Sequence, residues 1–130
     1  MAAVAKGAFD VTVVPQATDP GGEAAISRMS LDKQYHGDLD ATARGQMLAH
    51  MTAVDGSGVY VAIERVDGRL QGLRGTFVLQ HSGVMVRGRQ QLSVTVVADS
   101  GTGELVGLSG TLDIIIADGK HAYEFTYSLG

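Results

Sequence analysis

Residues 59–83 read VYVAIERVDGRLQGLRGTFVLQHSG, and this stretch decides the fold. It consists of two alternating runs joined by a Gly-punctuated turn, the pattern of a long β-hairpin. Glu64, Arg65, Gln80 and His81 interrupt strands that are otherwise Val, Ile, Leu and Phe. A two-residue turn at Gln71-Gly72 pairs Ala62 with His81, Glu64 with Leu79 and Val66 with Phe77, which sets Glu64 and His81 diagonally on one face. An odd-length loop, or a bulge at Gly75, slips the pairing by one residue and gives Glu64 the company of Gln80 instead. Both registers are compatible with the sequence.

The turn recurs. Leu70-Gln-Gly-Leu-Arg-Gly-Thr-Phe77 is echoed by Leu105-Val-Gly-Leu-Ser-Gly-Thr-Leu112, 35 residues later, so a hairpin-sized unit is expected twice. Outward from the hairpin, a first strand is expected over about Ala5–Val14, ended by Pro15, and residues 16–23 (QATDPGGE) read as a mobile loop. Residues 24–31 have some propensity for a helical turn, but Ile26, Met29 and Leu31 do not hold a helical period. Strands are expected instead at 26–36, 41–54 and 91–98, separated by a break at Gly37-Asp38 and a turn at Asp55-Gly56-Ser57-Gly58. Residues 99–110 are glycine-rich and hold only a brief strand, and strands 111–117 and 121–129 flank Asp118-Gly119, a type I′ turn signal. If Asp118 and Gly119 are the turn residues, Ile116 faces His121, Ile114 faces Tyr123 and Leu112 faces Phe125. That face is nearly all apolar and is assigned to the core, whereas Asp113 opposite Glu124 is a like-charge pair that belongs in water.

Eight strands with frequent turns and no long amphipathic helix predict an all-β fold: an eight-stranded antiparallel barrel, with a two-sheet sandwich as the alternative. Closure removes sheet edges, which suits a chain with only two prolines and few lysines. The 130 residues are expected to form one domain over 1–130, and 45% hydrophobic content supports a packed core.

Composition excludes several functions. The chain contains no Cys, which removes disulfides, thiolate metal sites and Cys nucleophiles. A net charge of −4, no basic run and 5% aromatic residues argue against nucleic acid as a partner. No apolar run approaches membrane-spanning length, and the N-terminal MAAVAKGAFDV does not read as a signal peptide, so a soluble cytoplasmic protein with no membrane partner is expected. His36, His50, His81 and His121 show no H-x-H or H-x-x-x-H spacing, so no metal is expected. Ser100-Gly-Thr-Gly is followed by no Gly-Lys-Ser/Thr, and Ser82 has no G-x-S-x-G elbow, so neither a nucleotide cofactor nor hydrolase chemistry is indicated.

The runs Glu64-Arg-Val-Asp-Gly68, Gly75-Thr-Phe-Val-Leu-Gln-His-Ser-Gly83, Ser100-Gly-Thr-Gly-Glu-Leu-Val-Gly-Leu-Ser-Gly110 and Gly119-Lys-His-Ala-Tyr123 resemble a bacterial family catalogued as a domain of unknown function. Its members carry an allene-oxide-cyclase-like β-barrel. The resemblance spans nearly the whole chain and implies an eight-stranded barrel with a central cavity, often assembled as a homo-oligomer. The wider barrel superfamily includes cofactor-free cyclases, which implies cyclisation or isomerisation by analogy of fold alone.

Glu64 is the first candidate catalytic residue: pointing into the lumen it would be desolvated, its pKa would rise, and it would act as a general acid or base. The alternative is a carboxylate that faces solvent or pairs with Arg65 or with a neighbouring strand. His81 is the second, able to relay a proton with Glu64, and Gln80 could orient a ligand carbonyl. Tyr35 and Tyr60, with Tyr123 and Tyr127, combine an apolar body with a hydroxyl tip, and Met47, with Met51, offers an adaptable cavity wall. The function expected is binding of a small, largely apolar molecule in the lumen, with cofactor-independent cyclase or isomerase chemistry as its catalytic form. The alternatives are a non-catalytic ligand-binding protein and a structural oligomeric barrel plugged by side chains.

Overall fold

Period-two alternation becomes a barrel because each strand has one apolar face to bury. The computed structural model describes residues 2–16 and 26–130. Its strands are β1 (Ala3–Pro15), β2 (Ser27–Tyr35), β3 (Leu39–Met51), β4 (Gly58–Leu70), β5 (Leu73–Val86), β6 (Arg89–Val96), β7 (Leu108–Ala117) and β8 (Lys120–Leu129). They form one closed barrel in sequence order, antiparallel throughout, with β8 returning to pair with β1. The two-sheet alternative is thereby set aside. Apart from Gln16, the loop expected at residues 16–23 lies outside the described residues, as do residues 24 and 25 of the possible helical turn.

Turn geometry sets the register. Gln71 and Gly72 have φ of 47° and 88°, Arg87 and Gly88 of 46° and 87°, and Asp118 and Gly119 of 52° and 74°. Positive φ at both central residues is the type I′ geometry that matches strand twist, so all three connections are two-residue hairpin turns. On β4–β5 this pairs Ala62 with His81, Glu64 with Leu79 and Val66 with Phe77. The slipped register is excluded, and Glu64 shares its face with His81 rather than Gln80. On β7–β8 it pairs Ile116 with His121, Ile114 with Tyr123 and Leu112 with Phe125.

The sequence repeat has a different meaning from the one expected. Gly72 and Gly107 both take positive φ, 88° and 85°, immediately before the first residues of β5 and β7. The repeat therefore marks two strand entries at one end of the barrel, and only the first follows a hairpin turn. Before the second lies a single turn of 3₁₀ helix, Gly103–Leu105, whose Leu105 is buried. The register of β6 with β7 is recorded at a single pair, Thr95 with Thr111. Residues 97–102 cover the remaining edge of β5: Thr102 N donates to Thr76 O at 2.8 Å, Thr76 N to Thr102 Oγ1 at 3.0 Å, and Val78 N to Ser100 Oγ at 3.0 Å.

The interior is filled unevenly. At the end holding the β4–β5 turn, Leu39, Leu70, Phe77, Leu105, Leu108 and Phe125 are buried. The Phe77 and Phe125 rings stack with centroids 5.8 Å apart. Tyr123 ties the bend at 36–38 into this end, accepting from Leu39 N at 2.8 Å and donating to His36 O at 2.7 Å. Toward the opposite end the packing opens. Ile116, assigned to the core from its alternation, is 66% exposed there, because the inward face of β7 runs out of the barrel into its mouth.

Candidate functional site

The inward residues of β2 are Met29, Leu31, Lys33 and Tyr35, and those of β4 include Ala62, Glu64 and Val66. Between them lies β3, whose inward residues opposite these are small: Ala41 faces Tyr35, Ala43 faces Lys33, and Gly45 faces both Leu31 and Glu64. This low strip lets the long side chains of β2 lie across β3 and reach β4. A Cβ on Gly45 would run into the backbone of Ile63 and Glu64, so the close approach itself requires glycine.

Four side chains meet there. Glu64 is 1% exposed, His81 4% and Lys33 8%. Lys33 Nζ donates to Glu64 Oε1 at 3.0 Å, and the Tyr35 hydroxyl lies 3.1 Å from both Glu64 oxygens. His81 Nε2 is 2.5 Å from Oε1. The Lys33 ammonium also sits 5.1 Å from the Phe9 ring centroid and 5.8 Å from that of Tyr35, a cation–π arrangement on its apolar side. Among the described residues, no buried side-chain nitrogen or oxygen lacks a partner.

The electrostatics reverse the expectation for Glu64. Burial alone pushes its carboxyl up, but the His81 hydrogen bond and the Lys33 charge outweigh it and hold the pKa below the ordinary carboxylate value. Glu64 is therefore an anion that accepts hydrogen bonds, not a carboxylic acid poised to donate. An ionised carboxylate has no proton to give, so His81 contributes Nε2–H to this hydrogen bond. Burial and the Glu64 charge push the Tyr35 phenol well above its ordinary value, so it stays a donor.

Of this group, Lys33 and His81 form the floor of a cavity of about 270 Å³ that opens at the barrel mouth. Phe9, Leu31, Met47, Ala62, Leu92 and Ile114 give apolar wall, and Lys33, His81, Tyr60, Gln90 and His121 add polar atoms. Burial pushes the Tyr60 phenol up, and a hydrogen bond with Gln90 pulls it back. The Tyr60 ring rests over Gly83, where a Cβ would collide with it. The Glu64 side chain is completely sealed and lies beneath the cavity, holding the residues that line it.

The residues singled out from sequence are thus divided. Glu64, His81 and Tyr35 meet at the floor, and Tyr60 and Met47 line the wall. Gln80 does not join them: it alternates with His81 on β5, so it points outward and is exposed. Met51 is exposed at the strand end, while Tyr123 and Tyr127 belong to the packed half. Lys33 was missed. Its signal was available in Met29-Ser-Leu-Asp-Lys-Gln-Tyr35, where every second residue is apolar except one lysine. Among the described residues, no three His, Asp or Glu side chains converge as a metal site would require.

A family profile described as "Protein of unknown function (DUF3224)" matches residues 5–127. A crystal structure of a protein with unknown function from the DUF3224 family of Shewanella oneidensis MR-1 is 47% identical, with a TM-score of 0.93 over 100% of this chain and 98% of that one. No curated protein matches.

Proposed function

The chain belongs to the DUF3224 family, and we propose that its barrel binds a small, largely apolar molecule in the open half of the lumen. One observation carries this reading: a cavity of about 270 Å³ with largely apolar walls ends on the buried polar side chains Lys33 and His81, both tied to the sealed Glu64. A barrel serving only as a scaffold gains stability by filling its lumen with side chains. An open half next to a packed half supports a ligand site over a plug. The test is a thermal-shift panel of apolar molecules on the wild type and on Met47→Trp, which puts a large ring into the cavity wall. A ligand at a hundred times its Kd stabilises by ~2.7 kcal/mol, a rise of about 8–11 °C at ~3–4 °C per kcal/mol for a domain of this size. The rise should vanish in Met47→Trp. A panel that shifts neither protein, or both equally, refutes the reading.

A second reading adds chemistry at the same floor: cofactor-independent isomerisation or cyclisation, supported by the 2.5 Å contact between buried His81 and Glu64. Here His81 moves the proton through Nδ1, and Glu64 fixes its tautomer and orientation, as the buried acid does in a hydrolytic triad. The allene-oxide-cyclase-like analogy is one of fold alone and carries no residue roles. Deuterium from D₂O should then enter a bound ligand at an acidic C–H position and cease to enter in His81→Gln. Absence of exchange in the wild type sinks the catalytic reading and leaves the binding one standing.

A further inference from the structure

The cavity wall is largely apolar, with polar atoms added by His81, Tyr60, Gln90 and His121, and Lys33 is the formally charged side chain among its lining residues. An ammonium has three N–H donors. One is taken by Glu64 at 3.0 Å, the nitrogen lies 5.1 Å and 5.8 Å from the Phe9 and Tyr35 ring centroids, and the Lys33 side chain lines the cavity. Ring faces are weaker partners for an N–H than an oxygen lone pair. An acceptor atom entering from the mouth would therefore find a positioned and under-used donor, held in place from below by a sealed carboxylate.

Charge decides what that acceptor is. Lys33 and Glu64 together are neutral, and an uncharged oxygen leaves them so. A carboxylate or phosphate would add an unbalanced negative charge to a site enclosed by Phe, Leu, Met and Ile, which is strongly disfavoured. Size narrows it further. At ~30 Å³ per water-sized volume, a cavity of about 270 Å³ has room for about nine non-hydrogen atoms. Resting on the proposed lumen binding, we infer that the ligand is an uncharged carbonyl compound of this size. Its oxygen sits on Lys33 Nζ, and its hydrocarbon body lies against Phe9, Leu31, Met47, Leu92 and Ile114.

The inference separates from the general binding reading in a matched series: 2-octanone, octane and octanoate on the full chain. The ketone should bind the wild type at least tenfold tighter than octane and tighter than octanoate. Its carbonyl carbon, labelled with ¹³C, should shift downfield as the oxygen accepts from an ammonium. Lys33→Met alone strands the Glu64 anion, so the informative variant is Lys33→Met with Glu64→Gln, which removes both charges together. In that variant the ketone-to-octane ratio should collapse to within about twofold, a difference of ~0.4 kcal/mol. Equal binding of ketone and octane to the wild type overturns the carbonyl inference while lumen binding survives. Preferred binding of octanoate, or a ketone preference that persists in the double variant, overturns it too. Should the variant not fold, an unshifted carbonyl carbon in the wild-type complex overturns it independently. If none of the three binds, lumen binding fails and takes the inference with it.

Discussion

Replacing Glu64 by Gln keeps the side-chain volume and removes one charge from the centre of the floor. Glu64 is completely sealed, and its Oε1 receives Lys33 at 3.0 Å and His81 at 2.5 Å. Glutamine offers one carbonyl oxygen in place of two anionic ones, and its NH₂ adds donors to a site already crowded with them. Lys33 is left as a buried ammonium without its counter-charge. Removing one partner of a buried pair costs about 3–5 kcal/mol. The amide oxygen can still accept one bond, so the lower end applies, about 3 kcal/mol, or a fall in Tm of about 10 °C. Urea unfolding followed by far-UV circular dichroism is the appropriate assay, because the chain has no Trp to report by fluorescence. The midpoint should fall with the m-value unchanged. Lys33→Met with Glu64→Gln should recover most of the loss, since apolar replacement of a whole buried pair is often neutral or better. A Glu64→Gln protein within ~0.5 kcal/mol of wild type, as expected of a surface change, would refute the buried network. So would singles and double that simply add.

The pH dependence follows from the same site. Because the folded-state pKa of Glu64 lies below its unfolded value, its stabilisation is complete above the unfolded carboxylate pKa, near 4.3. It is lost as pH falls through the folded value, so wild type should lose stability on acidification by a component absent from Glu64→Gln. Tyr35 is shifted the other way, so its contribution holds below the ordinary phenol range and fades above it. Tyr35→Phe removes a donor to a buried carboxylate and should cost about 1.5–3 kcal/mol by urea titration; a change under half a kcal/mol would contradict the contact. Gly45→Ala places a Cβ against the Glu64 backbone and should destabilise by about 1–3 kcal/mol through overpacking, whereas a stabilised protein would mean that β3 and β4 are not so closely apposed. Gln80→Ala should leave both stability and ligand affinity within error, because Gln80 lies on the outer face. A lost thermal shift in that variant would move the binding site outside the barrel.

Much of the barrel was legible because alternation is local. The apolar and polar runs over 59–83, the two-residue turns and the Asp118-Gly119 signal each depend on neighbours a few residues apart. Counting outward from a type I′ turn then fixed the β7–β8 register without any long-range information. The same counting left Glu64 with two possible companions, because the type of turn at Gln71-Gly72 depends on a non-glycine residue adopting a φ of 47°. No local rule guarantees that Gln71 will do so.

Composition and spacing determined that this chain is all-β, that its strands are joined by frequent turns, and that Glu64 and His81 interrupt an apolar pattern. Only the closed barrel decided what those residues do. Closure brings β2 close enough for Lys33 and Tyr35 to cross the low strip of Ala41, Ala43 and Gly45 and reach a carboxylate 31 and 29 residues away in sequence. The alternation marks Lys33 as inward-facing, but its partner has no signature in the chain, because such contacts depend on which side chains of the intervening strand are absent. The sign of the Glu64 pKa shift depends on them as well. Burial alone raises a carboxyl, and only the cation and imidazole delivered by other strands turn the shift downward.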